Sequence, residues 1–419
     1  MADLLKYNLH WREDFTYGHG IKRDLFNELV KHLDIRQTIG IIGLRRTGKT
    51  VLLKQIIDHL ISQEVERDQI LYFSFDEENV SMEEVINEFL SRTGKDISGT
   101  GRLYIFFDEI QKLDGWQNQL KYYYDTYHRI KFFVSGSSSL FLKKKTEESL
   151  AGRIFLYYLP VLGFTEFLRL KGDEDLIKRP GMFEDAIKKQ VPLYMKRQLP
   201  ELVKADEPFI QMYLESIINK MVYEDLPRVF PVENEDVLKQ ILIITASNPG
   251  MITDYEGLAN DLGITRKTLV KYISYLKRGF MLQKCYNFSS NRLTSEKKMK
   301  RLYLTSATLL LHLWEHPDMG RVVENLVVTN SGARFFWRKG TSEVDCVLAK
   351  GDEVVPLVSR YKNNIRKKDI KGLLKFMETF SAEKGLVVTK DREGEELVDG
   401  KWIVFVPLWK WLLEGRISS

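Results

Sequence analysis

The sequence predicts an α/β fold: a doubly wound parallel sheet, then a helical region, then a smaller α/β unit. Three observations predict it. Over about the first 150 residues, short continuous apolar runs alternate with amphipathic stretches, the pattern of strands buried on both faces between helices. A glycine-bounded loop, Gly43-Leu-Arg-Arg-Thr-Gly-Lys-Thr50, stands between the first such run and the first amphipathic stretch. From residue 162 to residue 245 the periodicity is helical, and strand-like runs return only near Met281.

The first run, residues 38–42, is Thr-Ile-Gly-Ile-Ile, and a helix is expected over residues 49–61. The loop between them has the form G-x-x-x-x-G-K-[ST]. In that order a buried strand ends, glycines turn the chain, and backbone N–H groups converge at a helix N-terminus, where phosphate binds. Gly43 and Gly48 let phosphates approach the backbone. Lys49 would reach the β- and γ-phosphates and the Thr50 hydroxyl would ligate Mg²⁺. The candidate nucleotide-binding set is Gly43, Arg46, Thr47, Gly48, Lys49, Thr50 and Val51, with Asp108. A plain strand-turn-helix connection accounts poorly for Lys-Thr after the second glycine.

Residues 103–111 read LYIFFDEIQ, an apolar run closed by two carboxylates. Asp108 matches a Walker B aspartate that holds Mg²⁺, together with Thr50, and Glu109 is placed to polarise the attacking water. The catalytic candidates are therefore Glu109 and Lys49, with Arg153 as a third. The expected cofactors are ATP and Mg²⁺. ATP is favoured over GTP because the first 150 residues contain no Asn-Lys-x-Asp run.

Between these landmarks come a strand at residues 70–75, helices near 82–92 and 116–127, and a strand at 131–134. The last ends in Ser135-Gly-Ser-Ser-Ser139, where Ser137 or Ser138 would sense the γ-phosphate or simply satisfy a turn. Arg153, between two apolar stretches, reads as an arginine finger acting in cis or in trans, or as the partner of a local carboxylate.

The chain has 419 residues, long enough for two or three domains, and its 44% apolar content supports real cores. A net charge of +5 is mildly basic and compatible with nucleic acid. Cys285 and Cys346 have no partner at metal-ligand spacing, which fits a reducing compartment. No apolar segment approaches bilayer-spanning length and the amino terminus lacks a secretion-signal layout, so no membrane association and a cytoplasmic location are expected.

Residues 209–223 carry Ile210, Tyr213, Leu214, Ile217, Ile218 and Met221 at helical spacing, a core face rather than a catalytic one. Residues 254–262 read as a short helix, Gly263-Ile264 as a tight turn, and Thr265 as the cap of a second helix through Leu276. Leu258, Ala259, Ile264, Leu269 and Ile273 would be its core. Arg266, Lys267, Lys271 and Tyr272 are expected on the outer face. With a strand at residues 281–288 and a basic segment at 292–301, this reads as a winged helix, a fold that contacts DNA or only protein. Residues 320–410 read as a separate α/β unit with Glu324 on a helix and Asp345 on a strand. Arg360, Lys362, Arg366, Lys367, Lys368 and Lys371 form a basic stretch: a phosphate-tracking surface or a solvated helix face. The candidate DNA-binding residues are Arg266, Lys267, Lys271, Arg360, Lys362 and Lys367. The expected domains are residues 1–160, 161–245, 246–305 and 306–419.

GLRRTGKT, FFDEIQ followed by Trp116, the SGSSS strand end, SLAGR and LPVLGFTEFL resemble the archaeal-type P-loop ATPases of the AAA+ and STAND-related group. The winged helix and FWRKGTSEVDCVL resemble the domain of unknown function that accompanies them, with a layout similar to the restriction-endonuclease fold. This resemblance implies a P-loop NTPase sheet, ATP binding, association with DNA and possible homo-oligomers. It carries roles over to Lys49, Thr50, Asp108 and Glu109, and to Arg153 as a candidate. Active members of the endonuclease fold place a Glu-x-Lys on the strand after the Asp; here that place reads Val358-Ser359-Arg360. A carboxylate is missing, and Arg is no general base at neutral pH. Glu324 and Asp345 alone make no hydrolytic site. The sequence thus points to an ATPase coupling nucleotide state to DNA, with a nucleotide-controlled protein-assembly switch and an ATP-linked nuclease as rivals.

Overall fold

The computed structural model describes residues 3–76, 80–99, 101–136, 150–289, 299–350 and 353–414. The sensing candidates Ser137 and Ser138, and residues 292–298 of the basic segment, lie outside them. The chain divides into two compact units, Met1–Pro160 and Val161–Ser419.

In the first unit, β1 (Thr38–Ile42), β2 (Ile70–Ser74), β3 (Leu103–Asp108), β4 (Ile130–Gly136) and β5 (Ile154–Tyr158) form one parallel sheet in the order β2-β3-β4-β1-β5. Successive side chains of a strand point to opposite faces, and here both faces are covered. Ile39, Ile41 and Phe106 pack against Leu52, Leu53 and Ile56 of the helix Lys49–Ser62. Ile105 and Phe107 pack on the other face with Phe89 and Leu120, from the helices Met82–Thr93 and Trp116–Thr126. That is why the strands read as unbroken apolar runs. Ser81 starts the Met82–Thr93 helix with a capping box to Glu84.

The amino-terminal segment covers the β2 edge. Asn8 Oδ1 accepts from the Tyr72 N–H at 2.7 Å and its amide donates to Tyr72 O at 3.0 Å. His10 Nε2 and Trp11 Nε1 both meet Ile70 O, at 3.1 and 2.8 Å. An uncovered edge is a template for pairing with other chains, and these side chains close it. At the opposite edge, β5 leaves Phe155, Leu156 and Tyr158 exposed (43%, 44% and 37%).

The second unit opens with helices, among them Phe164–Lys171, Glu184–Lys196, Glu207–Lys220 and Glu235–Ser247. Next come the helices Tyr255–Asp261 and Arg266–Arg278, the latter capped by Thr265 through Thr268 N. β6 (Leu282–Asn287) and β7 (Lys300–Leu304) pair antiparallel. They also belong to a mixed eight-stranded sheet with β8 (Phe335–Lys339), β9 (Ser342–Lys350), β10 (Glu353–Arg360), β11 (Lys384–Thr389), β12 (Gly394–Val398) and β13 (Lys401–Pro407). β6 runs parallel to β8, through Tyr286↔Phe335 and Asn287↔Phe336. The sheet therefore crosses the boundary expected at residues 305 and 306, and the helix-turn-helix leads into the last sheet without a break. Tyr272, expected on the outer face, is buried, and its hydroxyl accepts from the N–H groups of Glu233 and Asn234. The helix Lys371–Thr379 seats Leu373, Phe376 and Met377 on one face of this sheet, among Trp337, Val344 and Val358.

Candidate functional site

The loop closes directly on β1. A Cβ at Gly43 would lie 2.3 Å from Leu159 O, so only glycine lets the loop start this close to the end of β5. Gly48 has φ +96°, and Arg46 takes a left-handed φ of +65°. Glu109 is left-handed too, at φ +49°. Each such non-glycine residue costs roughly 1–3 kcal/mol, a cost that concentrates where function fixes the backbone. Thr47 is fully buried: its hydroxyl donates to Leu44 O at 2.9 Å, and its carbonyl accepts from Arg23 Nη1 at 2.6 Å. Arg23 Nη2 also donates to Pro160 O at 2.9 Å, so one buried guanidinium ties the loop to the strand end beside it.

Lys49 is buried, its ammonium donating to Gly43 O at 3.3 Å and Leu44 O at 3.1 Å. Thr50 Oγ1 donates to Asp108 Oδ2 at 2.5 Å. β4 lies between the strands carrying the loop and Asp108, and Ser135 near its end donates to Asp108 Oδ1. From the other side, Tyr72 OH donates to Asp108 Oδ2 at 2.9 Å. Both oxygens of a buried carboxylate are thus held by hydroxyls from three elements. Glu109, one residue on and half-buried, accepts from Gln111 Nε2. Burial raises its carboxyl above the usual range; Lys49 opposes this and Asp108 adds to it. Val51 is exposed in the first helical turn and Arg46 on the loop surface.

The set fits a magnesium nucleotide. Thr50 and Asp108 offer hard oxygen donors side by side, as Mg²⁺ requires. The cradle at Gly43 has no room for a side chain, and the Lys49 ammonium lies against the loop carbonyls of Gly43 and Leu44. Tyr72 and Ser135 were not recognised from sequence. The available signal was a hydroxyl in otherwise apolar strands, since Tyr72↔Phe106 and Ser74↔Asp108 registers bring β2 alongside β3.

Arg153 lies elsewhere. Its carbonyl accepts from Thr38 N, at the start of β1, whereas the phosphate loop follows the end of that strand. The strand separates them by roughly 13 Å. The Arg153 guanidinium pairs with Asp125, Nε–Oδ1 2.7 Å. A cis finger is out of reach in this arrangement, and the local carboxylate pair is what the geometry displays.

In the second unit Lys267 and Lys271 are exposed, and Arg266 pairs with Glu256 at 3.1 Å. The carboxy-terminal candidates are engaged: Arg360 Nη1 with Asp345 Oδ2 at 3.2 Å, Lys362 with Asp369 at 2.8 Å and Lys367 with Asp399 at 2.7 Å. Glu324 and Asp345 do approach one another, but around a guanidinium. Arg301, buried, sits 2.7 Å from Glu343, 3.6 Å from Glu324 and 4.0 Å from Asp345, over the Phe336 ring at 4.7 Å. Tyr303 OH adds a bond to Glu324 at 3.0 Å. Among the described residues, no three His, Cys, Asp or Glu side chains form a group able to hold a metal ion. Cys285 and Cys346 are both buried and free. No helix among the described residues is long and apolar enough to cross a membrane.

Residues 35–168 match the family described as AAA domain. Residues 198–319 and 319–411 match two domains of unknown function, DUF8612 and DUF4143. An uncharacterized protein of Methanocaldococcus jannaschii is 27% identical over 98% of this chain and 90% of its own length. A second from that organism is 28% identical over 89% and 87%. An uncharacterized protein of Haemophilus influenzae is 23% identical over 93% and 98%. Among solved structures, the Aeropyrum pernix ORC1 protein in complex with DNA has a TM-score of 0.32 at 14% identity, covering 76% of this chain and 98% of that one. AMPPCP-bound DnaA from Aquifex aeolicus has a TM-score of 0.32 at 18% identity, covering 65% and 91%. The five-stranded parallel sheet has the P-loop NTPase fold, followed by a helical region and a mixed-sheet unit, and residues 35–168 are similar to the AAA domain.

Proposed function

We propose that this protein binds and hydrolyses Mg-ATP and uses the nucleotide state to control DNA binding by its second unit. The observation that carries the catalytic part is the convergence of Lys49, Thr50, Asp108 and Glu109 at the carboxyl ends of β1 and β3. Mg²⁺, taken by the Thr50 hydroxyl and the Asp108 carboxylate, would offset phosphate charge. Lys49 exchanges the carbonyls of Gly43 and Leu44 for phosphate oxygens. Glu109 accepts hydrogen bonding from the attacking water and orients it, its raised proton affinity suiting a group that takes up a proton. Ser135 and Tyr72 position Asp108 rather than touch the nucleotide. Arg153 is kept only as a residue acting on a neighbouring copy.

The DNA part rests on Thr265 capping a basic helix whose Lys267 and Lys271 are exposed, the presentation a major-groove helix needs. We read Glu324 and Asp345 as a degenerate nuclease-like site, because Arg301 and Arg360 already neutralise it. A second reading, a protein-assembly switch, is favoured by the apolar residues exposed along β5.

The test is steady-state ATP hydrolysis with and without single- and double-stranded DNA, with Glu109→Gln as the blank. Stimulation by DNA supports the first reading. Hydrolysis indifferent to DNA but dependent on protein concentration transfers the weight to assembly. Unchanged turnover in Glu109→Gln or Lys49→Ala removes the catalytic assignment.

A further inference from the structure

Pairing removes Arg360, Lys362 and Lys367 from the basic stretch read in the sequence, yet a different positive surface forms beside it. The 3₁₀ turn Lys367–Ile370, the helix Lys371–Thr379 and the turn between β12 and β13 line a groove of about 690 Å³. Lys367, Lys368, Lys371, Lys375 and Lys401 face it, opposed by Asp399 and Glu378, five cations against two anions. Asp399 is engaged by Lys367. Among the described residues, Lys368, Lys371, Lys375 and Lys401 make no ion pair. Lys375 and Lys401 belong to no basic run in the sequence; folding brings them to the others.

The groove is pre-formed. Its helix lies so close to β9 that a Cβ at Gly372 would be 2.1 Å from Glu343 O, while Leu373, Phe376 and Met377 anchor the other face in the core. Lys371 and Lys375 are one turn apart, roughly 6 Å along the helix axis, so positive charge is strung along a line instead of converging on a point. The groove is larger than one anion needs and is lined by neither arginine forks nor aromatic rings. Lysines without forks or stacking surfaces read charge and not base identity.

We propose that this groove binds the phosphodiester backbone of nucleic acid without sequence preference, as a second contact beside the helix Arg266–Arg278. The inference rests on the DNA reading above and gives it a site. Fluorescence anisotropy of a labelled duplex, titrated with the full chain at about 50 to 200 mM salt, tests it. Lys371→Glu with Lys375→Glu should lower affinity at least about tenfold and flatten the slope of log K against log salt by roughly two. Lys371→Gln with Lys375→Gln should move both readouts the same way by less, and ATP turnover without DNA should stay unchanged. If the groove variants bind like wild type while Lys267→Glu with Lys271→Glu fails, the groove is excluded and the DNA reading stands. If wild type binds neither duplex nor single strands, both fall. Binding of inorganic polyphosphate or phosphatidylglycerol vesicles with no binding of DNA also overturns the assignment.

Discussion

Replacing Arg301 by Met should destabilise the second unit by about 3–5 kcal/mol, because it removes one partner from a buried charge cluster. The geometry allows the figure to be apportioned. At an effective dielectric near 20, the contacts at 2.7 to 4.0 Å each attract by about 4–6 kcal/mol before desolvation. Glu343 is 40% exposed, so water screens much of its share. The cost therefore falls on Glu324 and Asp345, 22% and 2% exposed, with loss of the Phe336 cation–π contact adding up to about 2 kcal/mol. Calorimetry should place the second-unit transition roughly 6 to 15 °C lower, by the usual scaling for units of this size. The pH dependence is a sharper check. Burial first, then Asp345, raise the Glu324 carboxyl, while Arg301 holds it down. A carboxyl raised in the folded state binds more protons folded than unfolded. Its contribution is present below the ordinary carboxylate range and lost as pH rises through the folded value. Without Arg301 that value climbs, so the deficit of Arg301→Met should be largest above neutrality and shrink toward about pH 5. A shift under about 2 °C, or a deficit flat with pH, would refute the reasoning.

Tyr72→Phe deletes one donor to a charged acceptor, a bond worth about 1.5–3 kcal/mol; kcat should fall about tenfold or more and half-saturating Mg²⁺ should rise, with metal-free nucleotide binding unchanged. Gly43→Ala drives a methyl against backbone that has nowhere to go, so nucleotide affinity in equilibrium binding and the first-unit melting temperature should both drop, the latter reflecting about 1–3 kcal/mol. Burial, with a smaller contribution from Arg67 against the Ile70 hydrogen bond, pushes His10 down to about 4. The folded state then holds fewer protons than the unfolded between that value and 6.5, so stability should be full above pH 6.5 and decline as pH falls, by about 2 kcal/mol at pH 5. His10→Gln should flatten that acid limb in a series of thermal melts; an unchanged limb would assign the acid sensitivity to other groups.

How much of the site was legible depended on how far apart in sequence its parts lie. The strand, loop and helix that hold Lys49 and Thr50 are contiguous, so a residue pattern specifies the geometry without tertiary knowledge. Asp108 was legible for a related reason: a carboxylate closing a wholly apolar run marks the carboxyl end of a buried strand. Tyr72 and Ser135 were not, because their meaning comes from the order β2-β3-β4, which sets both beside Asp108 and which no local pattern reveals. Arg153 illustrates the converse. Its neighbours in sequence suggested a functional arginine, while the parallel register of β1 and β5 puts it at the end of the sheet away from the loop.

In the second unit a basic run counts residues, whereas binding depends on the charge left unpaired. Arg360 and Arg301 are spent on Asp345 and Glu324, and Lys362 and Lys367 on Asp369 and Asp399. These pairs cost the surface four cations, and the first two also decide the fate of the acids. The two acids are neutralised from within by guanidinium groups, one from β7 of the hairpin after the helix-turn-helix and one from β10. The same side chain thereby ties that hairpin electrostatically to the helix carrying Glu324 and the strand carrying Asp345. Hydrogen-bonded pairing between β6 and β8 makes the connection a second time, through backbone. Any movement of the helix Arg266–Arg278 with its hairpin therefore has to break both, or carry the eight-stranded sheet with it. Since breaking a buried charge cluster alone costs several kcal/mol, motion of the hairpin and the sheet as one body is the cheaper course.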